Sequence, residues 1–185
     1  AELGNEVPTT PLLFLKAPSA LIRNGEPIVI PSQSQQVEHE AELAVIIGRD
    51  CKDIGDDEDV FRYVQGYACV NDVTARDIQR ADIQFTRGKS FDTFCPIGPH
   101  IETDLDVSDI LVTCRVNGEV KQLGRTSQMV YPVEFLMRYI SRHMTLRAGD
   151  VIATGTPSGV SQLTPGDLCE IEIDGIGILH NTVVG

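Results

Sequence analysis

Nowhere in the 185 residues does an apolar run approach the roughly 20 needed to cross a bilayer, and no signal-peptide pattern precedes the first structured segment. Cations are scarce: 15 Lys and Arg stand against 27 Asp and Glu, a formal net charge of −12 with no basic stripe. That balance excludes nucleic acid and anionic membranes as expected partners. The five cysteines (Cys51, Cys69, Cys95, Cys114, Cys169) form no C-x-x-C pair and are odd in number. They suit reduced core thiols of a cytoplasmic protein, not a disulfide framework or a zinc cage. The Gly- and Thr-rich 154–160 loop lacks the Gly-Lys-Ser/Thr of a P-loop and the Gly-x-Gly-x-x-Gly fingerprint, and no Ser or Cys sits in a nucleophile elbow, so neither a nucleotide nor a serine nucleophile is indicated. Internal repeats, low-complexity tracts and interdomain linkers are missing as well, which predicts one domain. What is present is ordinary globular material, 42% hydrophobic and 23% charged, enough to argue against a disordered chain.

The pattern along the chain predicts a β-rich α+β domain with two or three helices. Pro11–Ile30 reads as short strands joined by turns, including Leu12-Leu13-Phe14-Leu15. Leu43-Ala44-Val45-Ile46-Ile47, stopped by Gly48, predicts a strand buried on both faces. Asp56–Gln65 predicts a helix with an acidic first turn, Tyr67–Val73 a strand, and Ala75–Ala81 the start of a helix or loop. Asn117-Gly118 predicts a hairpin between 110–116 and 119–122. Pro132–Thr145 predicts a helix, with Val133, Leu136, Tyr139, Ile140 and His143 at helical spacing. Val151–Thr154, Leu168–Ile173 and Gly177–Val184 predict strands, the last two joined through Asp174-Gly175.

Two residues apart at the start of a strand, Glu40 and Glu42 point the same way, because strand side chains alternate with period two. Like charges beside a buried apolar run are costly unless a cation or proton compensates them. Asp72 is a third acid inside an apolar stretch, and three carboxylate oxygens with open positions are what Mg²⁺ or Mn²⁺ takes. The plainer reading stays open: Glu-x-Glu on a solvated face, with Asp72 capping a helix that begins near Thr74. His39 faces the other side of the strand and reads as packing or surface, not as a ligand.

Arg76 and Gln79 share one helical face at i, i+3, and Lys89 follows them. In so acidic a chain, cations gathered at a metal would suit a small dianion; taken singly, each reads as a surface salt bridge. Thr154-Gly155-Thr156-Pro157-Ser158-Gly159-Val160 offers N–H groups and hydroxyls to an oxyanion, or is an ordinary strand-to-turn transition.

Taken together, six stretches resemble the fumarylacetoacetate hydrolase family in its small single-domain branch. They are 11–19 (PLLFLKAPS), 38–48 (EHEAELAVIIG), 66–79 (GYACVNDVTARDIQ), 89–92 (KSFD), 116–119 (VNGE) and 149–160 (GDVIATGTPSGV), in the family's order over nearly the whole chain. The resemblance implies Glu40, Glu42 and Asp72 as metal ligands, usually for Mg²⁺ and sometimes Mn²⁺. It implies Lys89 as the active-site lysine and Arg76, Gln79, Thr156 and Lys16 as pocket residues. The fold implied is a mixed β-sheet roll closed into a barrel-like core, assembled as a homodimer.

One departure matters. Family members carry an upstream Asn-Tyr-x-x-His-x-x-Glu lid segment whose His–Glu pair activates water in the hydrolytic enzymes. Glu2 aligns with that glutamate and is the second catalytic candidate, while the histidine would precede residue 1. The chain opens Ala1-Glu2-Leu3-Gly4 without Met, and residues 1–185 are expected to form one catalytic domain without the N-terminal part of the lid.

The expected activity is that of a Mg²⁺-dependent enzyme on 2-oxo or 2-hydroxy-dienoic (di)carboxylic acids. Isomerisation or decarboxylation in aromatic catabolism, of the 2-hydroxyhepta-2,4-diene-1,7-dioate isomerase type, needs no base-activated water and fits a chain without the histidine. Acylpyruvate or fumarylpyruvate C–C hydrolysis and oxaloacetate decarboxylation are the alternatives. A catalytically silent metal-binding family member is a third, which the intact Glu40, Glu42, Asp72 and Lys89 set argues against.

Overall fold

The computed structural model describes residues 9–185. In chain order its strands are β1 (Leu21–Arg23), β2 (Ile28–Val29), β3 (Val37–Glu38), β4 (Ala41–Ile47), β5 (Val64–Asn71), β6 (Thr74–Ala75), β7 (Cys95–Glu102), β8 (Leu111–Val116), β9 (Glu119–Arg125), β10 (Val151–Ala153), β11 (Leu168–Ile173) and β12 (Gly177–Val184). Three helices join them: α1 (Arg76–Ala81), α2 (Thr86–Lys89) and α3 (Val133–His143).

Two five-stranded sheets carry the fold, in the orders β1-β7-β5-β4-β10 and β2-β12-β11-β8-β9, with β3 and β6 forming a separate ladder. Pairing is antiparallel except at β1–β7 and β2–β12. The inner faces meet through Leu43, Val45, Cys69, Ile171, Ile173 and Leu179, all buried. The closed roll that the resemblance implies is therefore corrected to two stacked open sheets. Among the described residues no backbone ladder joins one sheet to the other, and of the four edge strands β1, β2 and β10 are short and β9 is long.

Strand β4 is paired on both sides and buried at all seven positions, which is why it is written as an unbroken apolar run around Glu42. In the β8–β9 hairpin Asn117 and Gly118 both take positive φ, 54° and 81°, as a twist-matched two-residue turn requires. Along β11, Cys169, Ile171 and Ile173 are buried and the residues between them only partly so. Helix α3 starts behind Pro132 and buries Val133, Leu136, Met137 and Ile140. Tyr139 and His143, counted with that apolar spacing in sequence, sit instead on its outer side, in a ring ladder with Tyr131 and Phe135.

Two other expectations fail for local reasons, and one strand goes unread. Asp56–Gln65 forms only a 3₁₀ turn at Val60–Tyr63 before running straight into β5. Its acids bind backbone instead of extending a helix: Asp59 accepts the Phe61 N–H and Glu58 the Gly55 N–H. Leu12–Leu15, between Pro11 and Pro18, forms no strand. Strand β7 was not legible because Pro96, Gly98 and Pro99 fall within it; its pairing with β5 is irregular at Tyr67/Cys69.

Candidate active site

Strands β4 and β5 pair in register, Ala41 opposite Asn71 and Glu42 opposite Val70. The contact continues beyond the Ala41–Asn71 end, because the Asp72 N–H donates to the Glu40 carbonyl at 2.9 Å and the Glu40 N–H to Asn71 Oδ1 at 3.0 Å. This hairpin-like frame gathers Glu40, Glu42 and Asp72, all buried, with one carboxylate oxygen from each within 4.8 Å of the others. The period-two argument for Glu40 and Glu42 holds, and the capping role for Asp72 does not. Its carboxylate takes the Lys16 and Lys89 ammonium groups, both at 2.6 Å, while α1 begins only at Arg76.

Cations arrive from three other segments. Lys89 Nζ, at the end of α2, also donates to Glu40 at 2.7 Å. Arg76 Nε donates to Glu38 at 2.7 Å and Nη2 to Glu40 at 2.5 Å, and Nη1 reaches Gln79 Oε1 at 2.5 Å. Arg76 and Lys89 are each 1% exposed, so neither is the surface salt bridge that spacing alone allows. Buried pairs of this kind are strongly coupled, since removing one partner leaves a bare charge behind.

Among the described residues Glu42 has no ion-pair partner of its own; its carboxylate accepts the Gly155 N–H at 2.7 Å. Burial, then the charges of Asp72 and Glu40, push its pKa up to about 8. Burial would push Asp72 up too, but Lys89 and Lys16 outweigh it and hold that carboxyl below the usual range. Lys89 is the mirror case: burial pulls it down, Asp72, Glu40 and Glu42 pull it further up, and it stays an ammonium.

The 154–158 loop lies against the same frame. Thr156 Oγ donates to the Ala41 carbonyl at 2.9 Å and accepts from Gln122 Nε2 at 2.8 Å. Gln122, which sequence reasoning missed, is 1% exposed and bridges the two segments: Oε1 accepts the Ala41 N–H and Nε2 also reaches the Pro157 carbonyl. No local pattern marks it, since its partners lie 34 to 83 residues away. His39 is fully buried on the opposite face, between Gln122 and Ser161, as packing. Glu2, the remaining catalytic candidate, lies outside the described residues.

Three hard oxygen donors of negative charge, buried together, fit a small divalent cation such as Mg²⁺ in number and chemistry. A two-sheet α+β domain with such a triad, ringed by Lys16, Arg76 and Lys89, defines a carboxylate-rich site. The family model described as "Fumarylacetoacetate (FAA) hydrolase C-terminal" matches residues 1–184, and the chain belongs to the fumarylacetoacetate hydrolase family.

Relatives and neighbours agree. An uncharacterised protein of Methanocaldococcus jannaschii is 51% identical over 182 residues, covering 98% of this chain and 76% of the relative. Oxaloacetate decarboxylase, mitochondrial, of Dictyostelium discoideum is 42% identical over 182 residues, 95% of this chain and 83% of the relative. The crystal structure of 2-hydroxyhepta-2,4-diene-1,7-dioate isomerase from Mycobacterium marinum superposes with a TM-score of 0.93 at 46% identity, covering 96% of this chain and 70% of that one.

Proposed function

We propose that this protein is a Mg²⁺-dependent enzyme acting on 2-oxo or 2-hydroxy-dienoic (di)carboxylic acids, isomerising or decarboxylating them in aromatic catabolism. One observation carries the reading: three buried carboxylates within 4.8 Å of one another, ringed by Lys16, Arg76 and Lys89. Once Glu42 gives up its proton, four carboxylates, with Glu38 included, stand against three cations and leave one negative charge in excess. A dication on Glu40, Glu42 and Asp72 turns that into one positive charge, which suits an acidic substrate. When bound there, such a cation supplies Lewis-acid stabilisation of an enolate.

The chain's own groups do the rest. Lys89, held protonated by its carboxylate neighbours, offers Nζ–H to a developing oxyanion and is suited to returning a proton to the carbanionic carbon. Lys16 and Arg76 bind and orient the substrate's carboxylates. The Thr154–Ser158 loop presents backbone toward Glu42 through Gly155, fixing one wall. Both the isomerase neighbour and the decarboxylase relative carry names consistent with a shared enolate chemistry, and oxaloacetate is the second substrate to test.

The test is a UV assay of EDTA-treated and Mg²⁺-reconstituted protein on 2-hydroxyhepta-2,4-diene-1,7-dioate and on oxaloacetate. Metal-dependent loss of either supports the reading. Turnover that ignores EDTA, or none with Mg²⁺ bound, overturns it.

A further inference from the structure

We propose that Phe14 and Phe85 form an apolar wall that selects substrates with an unsaturated hydrocarbon body over compact four-carbon acids. The proposal rests on the function above and narrows its substrate class.

The argument starts from the 11–17 segment, which forms neither strand nor helix. Leu12, Leu13 and Leu15 are exposed, 59%, 39% and 68%, while Phe14 and Lys16 are partly buried. Lys16 reaches Asp72, and the Phe14 ring covers Lys89, its centroid 4.9 Å from Nζ. Phe85 lies four residues before Lys89, at the start of α2, and meets Phe14 edge-on with centroids 6.0 Å apart. Two of the segments that deliver a cation to the carboxylates thus deliver an aromatic ring beside it. Both rings are only partly buried, so they do not belong to the sealed core.

Chemistry gives this wall a preference. Lys89 Nζ touches Glu40 and Asp72 directly, so Phe14 stands one side chain away from the carboxylates. An acid whose head lies among those charges extends its body toward the rings. A planar diene stacks on a ring or packs at its edge. A carboxylate at that distance meets the negative face of the π system and loses water for no partner. Oxaloacetate carries its second carboxylate on the carbon next to its reacting end, whereas a seven-carbon dienedioate places it beyond the wall.

The experiment compares kcat/KM for 2-hydroxyhepta-2,4-diene-1,7-dioate and oxaloacetate in the Mg²⁺-loaded wild type, Phe14→Ala, Phe14→Leu and Phe85→Ala, with Mg²⁺ affinity measured by calorimetry. The dienedioate-to-oxaloacetate ratio is expected to fall about tenfold or more in Phe14→Ala, mostly through KM, the scale of lost apolar contacts in a specificity pocket. Phe14→Leu keeps most of the apolar bulk without the π face, and should shift the ratio the same way if Phe14→Ala does not fold. An unmoved ratio, with both substrates losing equally, would make Phe14 a cover for Lys89 alone and overturn the proposal while leaving the function standing. A wild type without Mg²⁺-dependent turnover of either acid overturns the function, and the wall with it.

Discussion

Gln122 Oε1 accepts the Ala41 N–H at 3.0 Å and lies 2.9 Å from His39 Nδ1. An amide oxygen cannot donate, so the imidazole proton is on Nδ1, and Nε2 accepts the Ser161 hydroxyl at 2.8 Å. Burial pulls the His39 pKa down and keeps the ring neutral, as that arrangement requires. The Gln122 amide then has its remaining donors turned toward Thr156 and Pro157, tying the strand of Glu40 and Glu42 to the loop behind Gly155.

Gln122→Leu removes this tie and strands the Ala41 N–H and the Pro157 carbonyl. Leaving such groups unpaired costs about 1–3 kcal/mol each, and loss of an outer contact of this kind lowers metal affinity about tenfold or more. Denaturant unfolding and a calorimetric Mg²⁺ titration on the same protein check both halves. A variant as stable and as tightly metal-binding as wild type would show that the loop holds its place unaided.

Glu42→Gln should abolish Mg²⁺-dependent turnover and the rise in Tm on adding Mg²⁺, yet not destabilise the protein in EDTA. With its pKa pushed up to about 8, Glu42 takes up a proton on folding. Its contribution to stability is therefore full below the ordinary carboxylate pKa and is lost as pH rises through about 8. The Tm of Glu42→Gln minus that of wild type, both in EDTA, should grow from pH 5 to about 8 and then level. A flat difference contradicts the burial and repulsion assigned to this carboxyl.

Lys89→Met leaves Glu40 and Asp72 facing each other without their shared ammonium. Breaking a buried pair from one side costs about 3–5 kcal/mol, and losing a charged donor at a developing oxyanion costs about a hundredfold in kcat. Added Mg²⁺ should recover stability but not turnover. Recovery of both would assign Lys89 a purely structural part.

All five cysteines are buried, and burial pushes the Cys69 thiol up to about 12 and Cys95 up to about 11. A colorimetric thiol reagent at pH 8 should find no fast-reacting group in the native protein and five in guanidinium. A rapid native reaction would mean that the core opens locally around one of them.

Much of the site was legible because its signals are local. The spacing of Glu40 and Glu42 sets their common face by strand geometry alone, and an apolar run beside them marks the strand as buried. The Asn117-Gly118 turn and the alternation of Cys169, Ile171 and Ile173 are similarly self-contained. Other features depend on partners far along the chain. Lys16 and Lys89 meet at Asp72 across 56 and 17 residues, and no spacing rule predicts that. Gln122 has the same difficulty, and β7 conceals itself behind two prolines whose neighbours supply the sheet. For Asp56–Asp59 composition misled: acids that favour a helix start equally favour capping a tight turn.

The origin of the site's charges has a consequence of its own. The three carboxylates sit on, or one residue beyond, two adjoining strands of one sheet, whereas Lys16, Arg76, Lys89 and the two phenylalanines come from separate outlying segments. Such an arrangement divides the molecule into a conservative half and an adjustable one. Drift in the outlying segments can retune which acid is accepted while the frame that would grip the cation stays as it is, so one scaffold can pass between related reactions without first losing its metal.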